Sequence, residues 1–277
     1  MDGYAEENTL VETLTLTRPG GSIAYDDSGG DGEPVVMLPG MGSLRAEYRY
    51  LAPEVAAAGY RAVTADLRGQ GESSVNWPEY TLAATGQDIL ALIDHLHAGP
   101  AHVVSTSFSP GAAVWAAAER PDAIRSLILI SPFLRDAPPG FVKGLLQSAV
   151  LHGPWKVAAW GMFYKSLYPT RKPDDFDAYL ADLKANLREP GRFDAVVGMA
   201  DAPKTDAEER LDLVKAPVLV VMGTKDPDWA DPKAEAQFIA QALSAELAMI
   251  EGAGHYPYTE MPEKVTPIIL EFLRRFA

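Results

Sequence analysis

Apolar residues fall in short runs along this chain, and between the runs they recur at helical spacing. Residues 10–17 alternate apolar and polar, as a strand with one buried face does, and 22–26 can pair with them across the Pro19-Gly20-Gly21 turn. Residues 34–38, 60–66, 101–105, 124–130, 217–222 and 246–250 are short, mostly apolar runs, the pattern of strands covered on both faces. The spacing predicts helices over 45–58, 81–97, 111–120, 232–242 and 263–276. Alternating strands and helices predict an α/β fold, a mostly parallel central sheet with helices on both faces.

The alternation stops between about 136 and 206. Only helical pieces occur there, over 141–151, 156–168, 174–187 and 192–199, separated by Pro and Gly. We read 1–136 and 207–277 as one core domain and 137–206 as an inserted helical cap. Because the insertion leaves the end of a strand, it should lie over the C-terminal edge of the sheet, where open α/β folds bind ligands.

Composition narrows the function classes. A length of 277 residues suits one α/β domain. The formal net charge of -14 and a pI near 4.8 disfavour nucleic acid and anionic membrane surfaces as partners. The chain has no cysteine, which removes disulfides, thiolate metal sites and a Cys nucleophile. No apolar run approaches the ~18 residues of a membrane span. The first residues are acidic without an apolar run, so no signal peptide is expected and the expected location is the cytoplasm. A small-molecule substrate is the expected partner; oligomeric state is not legible.

Three segments carry candidate chemistry. The first is Val103-Val104-Ser105-Thr106-Ser107-Phe108-Ser109-Pro110-Gly111, a strand running straight into a helix with small residues two apart. Such a turn strains the backbone of its middle residue and exposes that side chain at the top of the sheet. Taken alone it also reads as a serine-rich turn in which Ser109 caps the helix ahead of Pro110. The second segment is strand 218–222 followed by Gly223-Thr224-Lys225-Asp226-Pro227; the third is strand 248–250 followed by Glu251-Gly252-Ala253-Gly254-His255. Asp226 also suits a turn, and Asp228 and Asp231 are nearby rivals as an acid. Of the histidines at 95, 97, 102, 152 and 255, only His255 follows a strand in a glycine-flanked loop.

These segments resemble the α/β-hydrolase fold superfamily, and specifically its capped serine hydrolases of esterase, lactonase and haloperoxidase type. The first resembles the nucleophile elbow, with Ser105 and Ser109 where glycines are usual. The resemblance implies a catalytic triad of Ser107, Asp226 and His255, in the chain order of this fold. Leu38-Pro39-Gly40-Met41-Gly42-Ser43 resembles the oxyanion loop, with Pro39 in place of the common His, which implies backbone N–H donors at Met41 and Phe108. Asp66-Leu67-Arg68-Gly69-Gln70-Gly71-Glu72-Ser73 resembles a structural loop of the family, braced by Asp66 and Arg68. The implied reaction is hydrolysis of a carboxylic ester or lactone, with no metal or organic cofactor. Cap aromatics, with Trp155, Trp160, Phe163 and Tyr164 as the candidates, are expected to line an apolar substrate pocket, though aromatics at helical spacing are also ordinary core. Ser107 argues against the family members that use an Asp nucleophile. The same triad also serves C–C bond or amide hydrolysis and perhydrolysis; a lyase, a cyclase and a ligand-binding receptor share the scaffold.

Overall fold

The structure is a computed structural model and describes residues 13–136 and 153–277. The helix expected over 141–151 and residues 10–12 of the first strand lie outside the described residues. Eight strands form one sheet: β1 Leu14–Arg18, β2 Gly21–Asp27, β3 Pro34–Leu38, β4 Arg61–Ala65, β5 Ala101–Thr106, β6 Ile124–Ile130, β7 Val218–Gly223 and β8 Glu246–Ile250. Their order is β1-β2-β4-β3-β5-β6-β7-β8. β1 and β2 pair antiparallel, as does β2 with β4, while β4 through β8 run parallel. β3 sits beside β5, pairing Leu38 with Ser105, so the turns that follow these two strands emerge side by side.

The continuous apolar runs divide between two cores because successive side chains point to opposite faces. Val36, Leu38, Val103, Leu127, Leu129, Val220 and Met222 face one core. Helices α2 Leu82–Leu96, α3 Ser109–Glu119 and α8 Pro232–Ala242 cover that face, with Ile89, Ala113 and Ile239 in it. Val35, Met37, Val104, Ile128, Ile130, Leu219 and Val221 face the other core. Helix α1 Leu51–Ala57 and the last helix, α10 Pro262–Arg275, cover it. Burial on both sides is why these strands carry no polar alternation.

Two expectations need correcting. The stretch 45–58 is not one helix: residues Arg45–Tyr48 form a 3-10 helix and α1 begins at Leu51. Short elements the periodicity missed also appear, among them the 3-10 turns Pro121–Ala123 and Leu211–Leu213, and α9, Pro257–Glu260. Each spans a turn or less, too short to show a period.

Between β6 and β7 the described chain is helical: α4 Lys156–Ser166, α5 Phe176–Arg188, α6 Arg192–Asp201 and α7 Thr205–Glu208. Trp160, Tyr164, Leu167, Leu180, Leu183 and Phe193 join the second core, so this insertion packs directly on the sheet domain.

Candidate active site

β5 ends at Thr106 and α3 starts at Ser109, which leaves two residues to reverse the chain. Ser107 takes φ of 63°, a left-handed backbone that a residue with Cβ adopts only under constraint. The constraint comes from the neighbouring strand: Ser107 N–H donates to the Ile130 carbonyl (3.0 Å), and Phe133 N–H donates to the Ser107 carbonyl (3.1 Å). Ser109 does not cap the helix. Its hydroxyl sits 2.9 Å from the carbonyls of Leu38, Pro39 and Thr106 and accepts from Thr106 N–H at 3.0 Å. Where glycine is usual, serine thus ties this turn to the end of β3. The Ser105 hydroxyl, by contrast, is buried with no partner among the described residues.

Asp226 lies just past β7 and His255 just past β8, and the two are brought together. His255 Nδ1 stands 2.8 Å from Asp226 Oδ2, with both residues 1% exposed. The other carboxylate oxygen of Asp226 accepts Asp228 N–H at 3.0 Å. Of its rivals, Asp228 lies farther from His255, at 3.5 Å, and Asp231 caps α8 through Ala234 N–H. Burial works against a charged imidazole at 255, but the carboxylates of Asp226 and Asp228 outweigh it and raise the pKa to about 9. The backbone of His255 is anchored as well, its N–H donating to the Leu167 carbonyl of the insertion at 3.0 Å. Asp226, Asp228 and His255 also form the one group among the described residues whose donor atoms lie close enough, within 4.8 Å, to share a metal ion. The short Nδ1–Oδ2 contact already accounts for the pair as a hydrogen bond.

Phe133 touches both residues: its N–H holds the Ser107 carbonyl, and its ring lies 5.9 Å from the imidazole centroid of His255. No hydrogen bond among the described residues joins the Ser107 hydroxyl to His255. Such contacts are often long without substrate and tighten on binding.

The 39–43 turn closes over Ser107. A Cβ on Gly40 would lie 3.0 Å from the Ser107 Cβ and 3.3 Å from the Tyr256 hydroxyl, so a side chain here would press on both. Among the described residues, neither the Met41 nor the Phe108 N–H has a protein acceptor. Phe108 is buried and Met41 partly so, which leaves two open donors on the turns that meet at Ser107.

The sequence model described as "Alpha/beta hydrolase family" matches residues 35–268. The chain belongs to the alpha/beta hydrolase family. It is similar to a Mycobacterium tuberculosis protein named "Putative non-heme bromoperoxidase BpoC", 29% identical over 91% of this chain and 97% of that one. It is also similar to the pimeloyl-[acyl-carrier protein] methyl ester esterase of Neisseria meningitidis, 27% identical over 86% of this chain and 92% of that one. Among solved structures, a thermophilic esterase from Thermogutta terrifontis superposes with a TM-score of 0.76 at 25% identity, over 96% of this chain and 99% of that one. The expected fold and the expectation of a hydrolase enzyme are both met. No helix among the described residues is long and apolar enough to cross a membrane.

In this alpha/beta hydrolase the 66–73 loop is bracing. Asp66 accepts Arg45 N–H at 2.8 Å and Glu72 N–H at 3.0 Å; Arg68 reaches Asp88 at 2.8 Å and the Ala84 carbonyl at 2.8 Å. The insertion aromatics are placed unevenly. Trp155 is 57% exposed, and Phe163 packs half-buried against Trp160 at 5.4 Å between ring centroids. Trp160 is buried, its indole donating to the Gly42 carbonyl at 3.2 Å, and Tyr164 is buried with its hydroxyl donating to Glu47. Sequence reasoning missed Glu260, which accepts from the N–H groups of Gly254, Thr170 and Arg171 and so fixes the His255 loop to the insertion. It also missed Trp229, whose ring packs tilted against Phe133 at 4.7 Å between centroids. Neither lies in a periodic pattern that could have singled it out.

Proposed function

We propose that this protein is a serine hydrolase that cleaves a carboxylic ester or lactone of a small, largely apolar molecule through an acyl-Ser107 intermediate. The observation that carries this reading is the buried 2.8 Å pair of His255 and Asp226 beside a serine in a left-handed turn. Neutral His255 takes the Ser107 proton as the hydroxyl attacks the acyl carbonyl, while Asp226 orients the ring and stabilises the imidazolium. The open N–H groups of Met41 and Phe108 receive the oxyanion, each worth about 3 kcal/mol in the transition state. Imidazolium then protonates the leaving alkoxide, and a water deprotonated by His255 releases the acid. The aromatics of the insertion, acting as a cap, supply the apolar wall. The ester-cleaving names of the Neisseria and Thermogutta relatives support the bond type.

The test is intact-protein mass after treatment with a small fluorophosphonate, on wild type and on Ser107→Ala, beside turnover of short-chain p-nitrophenyl esters. The expected result is one adduct and turnover on wild type, and neither on the variant. An unlabelled, folded wild-type protein without esterase activity overturns the reading.

A further inference from the structure

Glu47 is a fully buried acid near this site that the proposed chemistry leaves unused. It lies in the 3-10 helix that follows the oxyanion-side turn, with no exposed surface. Its carboxyl receives a hydrogen bond from Tyr164 of α4 on Oε1, and Oε2 has no partner among the described residues. A buried carboxylate normally needs two or three donors, so one donor and one open oxygen suit a neutral carboxyl.

Hydroxyls extend from this acid to both halves of the site. The Tyr164 hydroxyl lies 3.4 Å from that of Tyr168, which lies 3.2 Å from the Thr259 hydroxyl, and Thr259 donates to the Tyr256 carbonyl at 3.1 Å. Tyr256 follows His255 directly, and its own hydroxyl returns to Ser43 at 3.3 Å. Leu44 N–H donates to the Tyr179 hydroxyl at 3.1 Å, and Trp160 holds the Gly42 carbonyl. Three chain segments, 42–48, 160–179 and 255–259, therefore share one buried polar network, with Glu47 as its acid.

We propose that Glu47 is a positioning residue whose neutral carboxyl joins the oxyanion-side turn, the insertion and the His255 loop into one unit, and whose ionisation loosens that unit. An anion at this place holds a full charge in a buried site with Tyr164 as its direct donor, while the Tyr258 hydroxyl beside it accepts from Thr106. The surroundings set where ionisation falls. Burial pushes the carboxyl up to about 7, while Tyr164, Tyr258, Arg49 and charged His255 pull it down. Arg49 already bears a bidentate pair with Asp175 at 2.6 Å. The remaining titratable neighbours are Tyr48, Tyr168, Tyr179 and Tyr256, all buried phenols held above their ordinary value and hence neutral.

The positioning role bears on catalysis through the proposed function, but the test does not use turnover. Melting temperature and amide exchange over residues 42–48 and 160–168 are measured from about pH 5.5 to about pH 8.5, exchange being corrected for its intrinsic pH dependence. A carboxyl whose folded pKa is raised contributes stability below its unfolded value that is lost as pH rises through the folded one. Wild type is expected to lose about 5 °C as pH rises towards 7 and to level off above it, and its two segments to exchange about tenfold faster, the effect of one lost buried hydrogen bond. Glu47→Gln should show neither change, and Tyr164→Phe should keep both with the levelling point moved up, because a donor to the anion is gone. A wild type without the fall, or a Glu47→Gln variant that retains it, overturns the proposal. Should Glu47→Gln fail to fold, an unmoved levelling point in Tyr164→Phe has the same force. Loss of fluorophosphonate labelling by wild type would sink the hydrolase reading and leave this result standing.

Discussion

The sheet carries two serine–histidine–acid clusters, one at each end of β5. At the C-terminal end stand Ser107, His255 and Asp226. At the N-terminal end His102 Nδ1 lies 2.7 Å from the Ser126 hydroxyl, and its Nε2 lies 3.4 Å from Glu33. The residue types match, yet the two histidines shift in opposite directions. Burial lowers the pKa of His102, because Glu33 is about a third exposed and divides its charge with Arg125 at 3.0 Å. Burial opposes charge at His255 too, but two carboxylates face it, Asp226 with a fully buried side chain. The serines differ as well. Ser126 lies in strand β6 with no exposed surface and pairs with His102 just past a shift in the ladder register. Ser107 sits on a left-handed turn beside two open amides. Residue types at hydrogen-bond distance do not make a nucleophile. In the proposed reaction a strained turn, open donors and a buried counter-charge are what set Ser107 apart.

The largest expected contrast is between the serines. Ser107→Ala should lower ester kcat by on the order of 10^4-fold or more, whereas Ser126→Ala should leave kcat within about twofold, as initial rates on a p-nitrophenyl ester will show. Next come the acids: Asp226→Asn should cost on the order of 10^4-fold in kcat, and Glu33→Gln should change little, because only the first orients a working base. An active Asp226→Asn enzyme would erase the distinction drawn above. Ser109→Ala removes the hydroxyl that joins the serine turn to β3, leaves Thr106 N–H without its acceptor and should destabilise by about 1–3 kcal/mol in urea unfolding.

The smallest effects concern pH. His255 must be neutral to act as a base, so kcat/KM should climb through a midpoint near 9, and Asp228→Asn should move that midpoint down. His102 has the opposite sign. Its folded pKa is lowered, so its contribution is complete above the unfolded value of about 6.5 and is lost as pH falls below it. Replacing His102 with Gln should flatten that acid loss of stability and leave the kcat/KM profile in place.

Much of this frame was legible because burial on two faces writes itself as continuous apolar runs. Strands Pro34–Leu38 and Ile124–Ile130 were read with their observed bounds, as was the half-buried edge strand Glu246–Ile250. Asp226 and His255 were legible from the glycine-bearing loops after two such strands. Glu47 was not, since Arg45-Ala46-Glu47 reads as the solvated side of a helix. What buries it is Tyr164, 117 residues away, and no local pattern encodes that. Ser109 was read as a possible cap for the same reason, its partners at Leu38 and Pro39 being about 70 residues distant. Periodicity placed Trp160 and Tyr164 on an insertion helix but did not reveal that Gly42 and Glu47 stand opposite them.

The N–H of His255 is held by the carbonyl of Leu167, which belongs to the insertion. Displacing Leu167 would free the histidine backbone, so the placement of His255 depends on how the insertion packs.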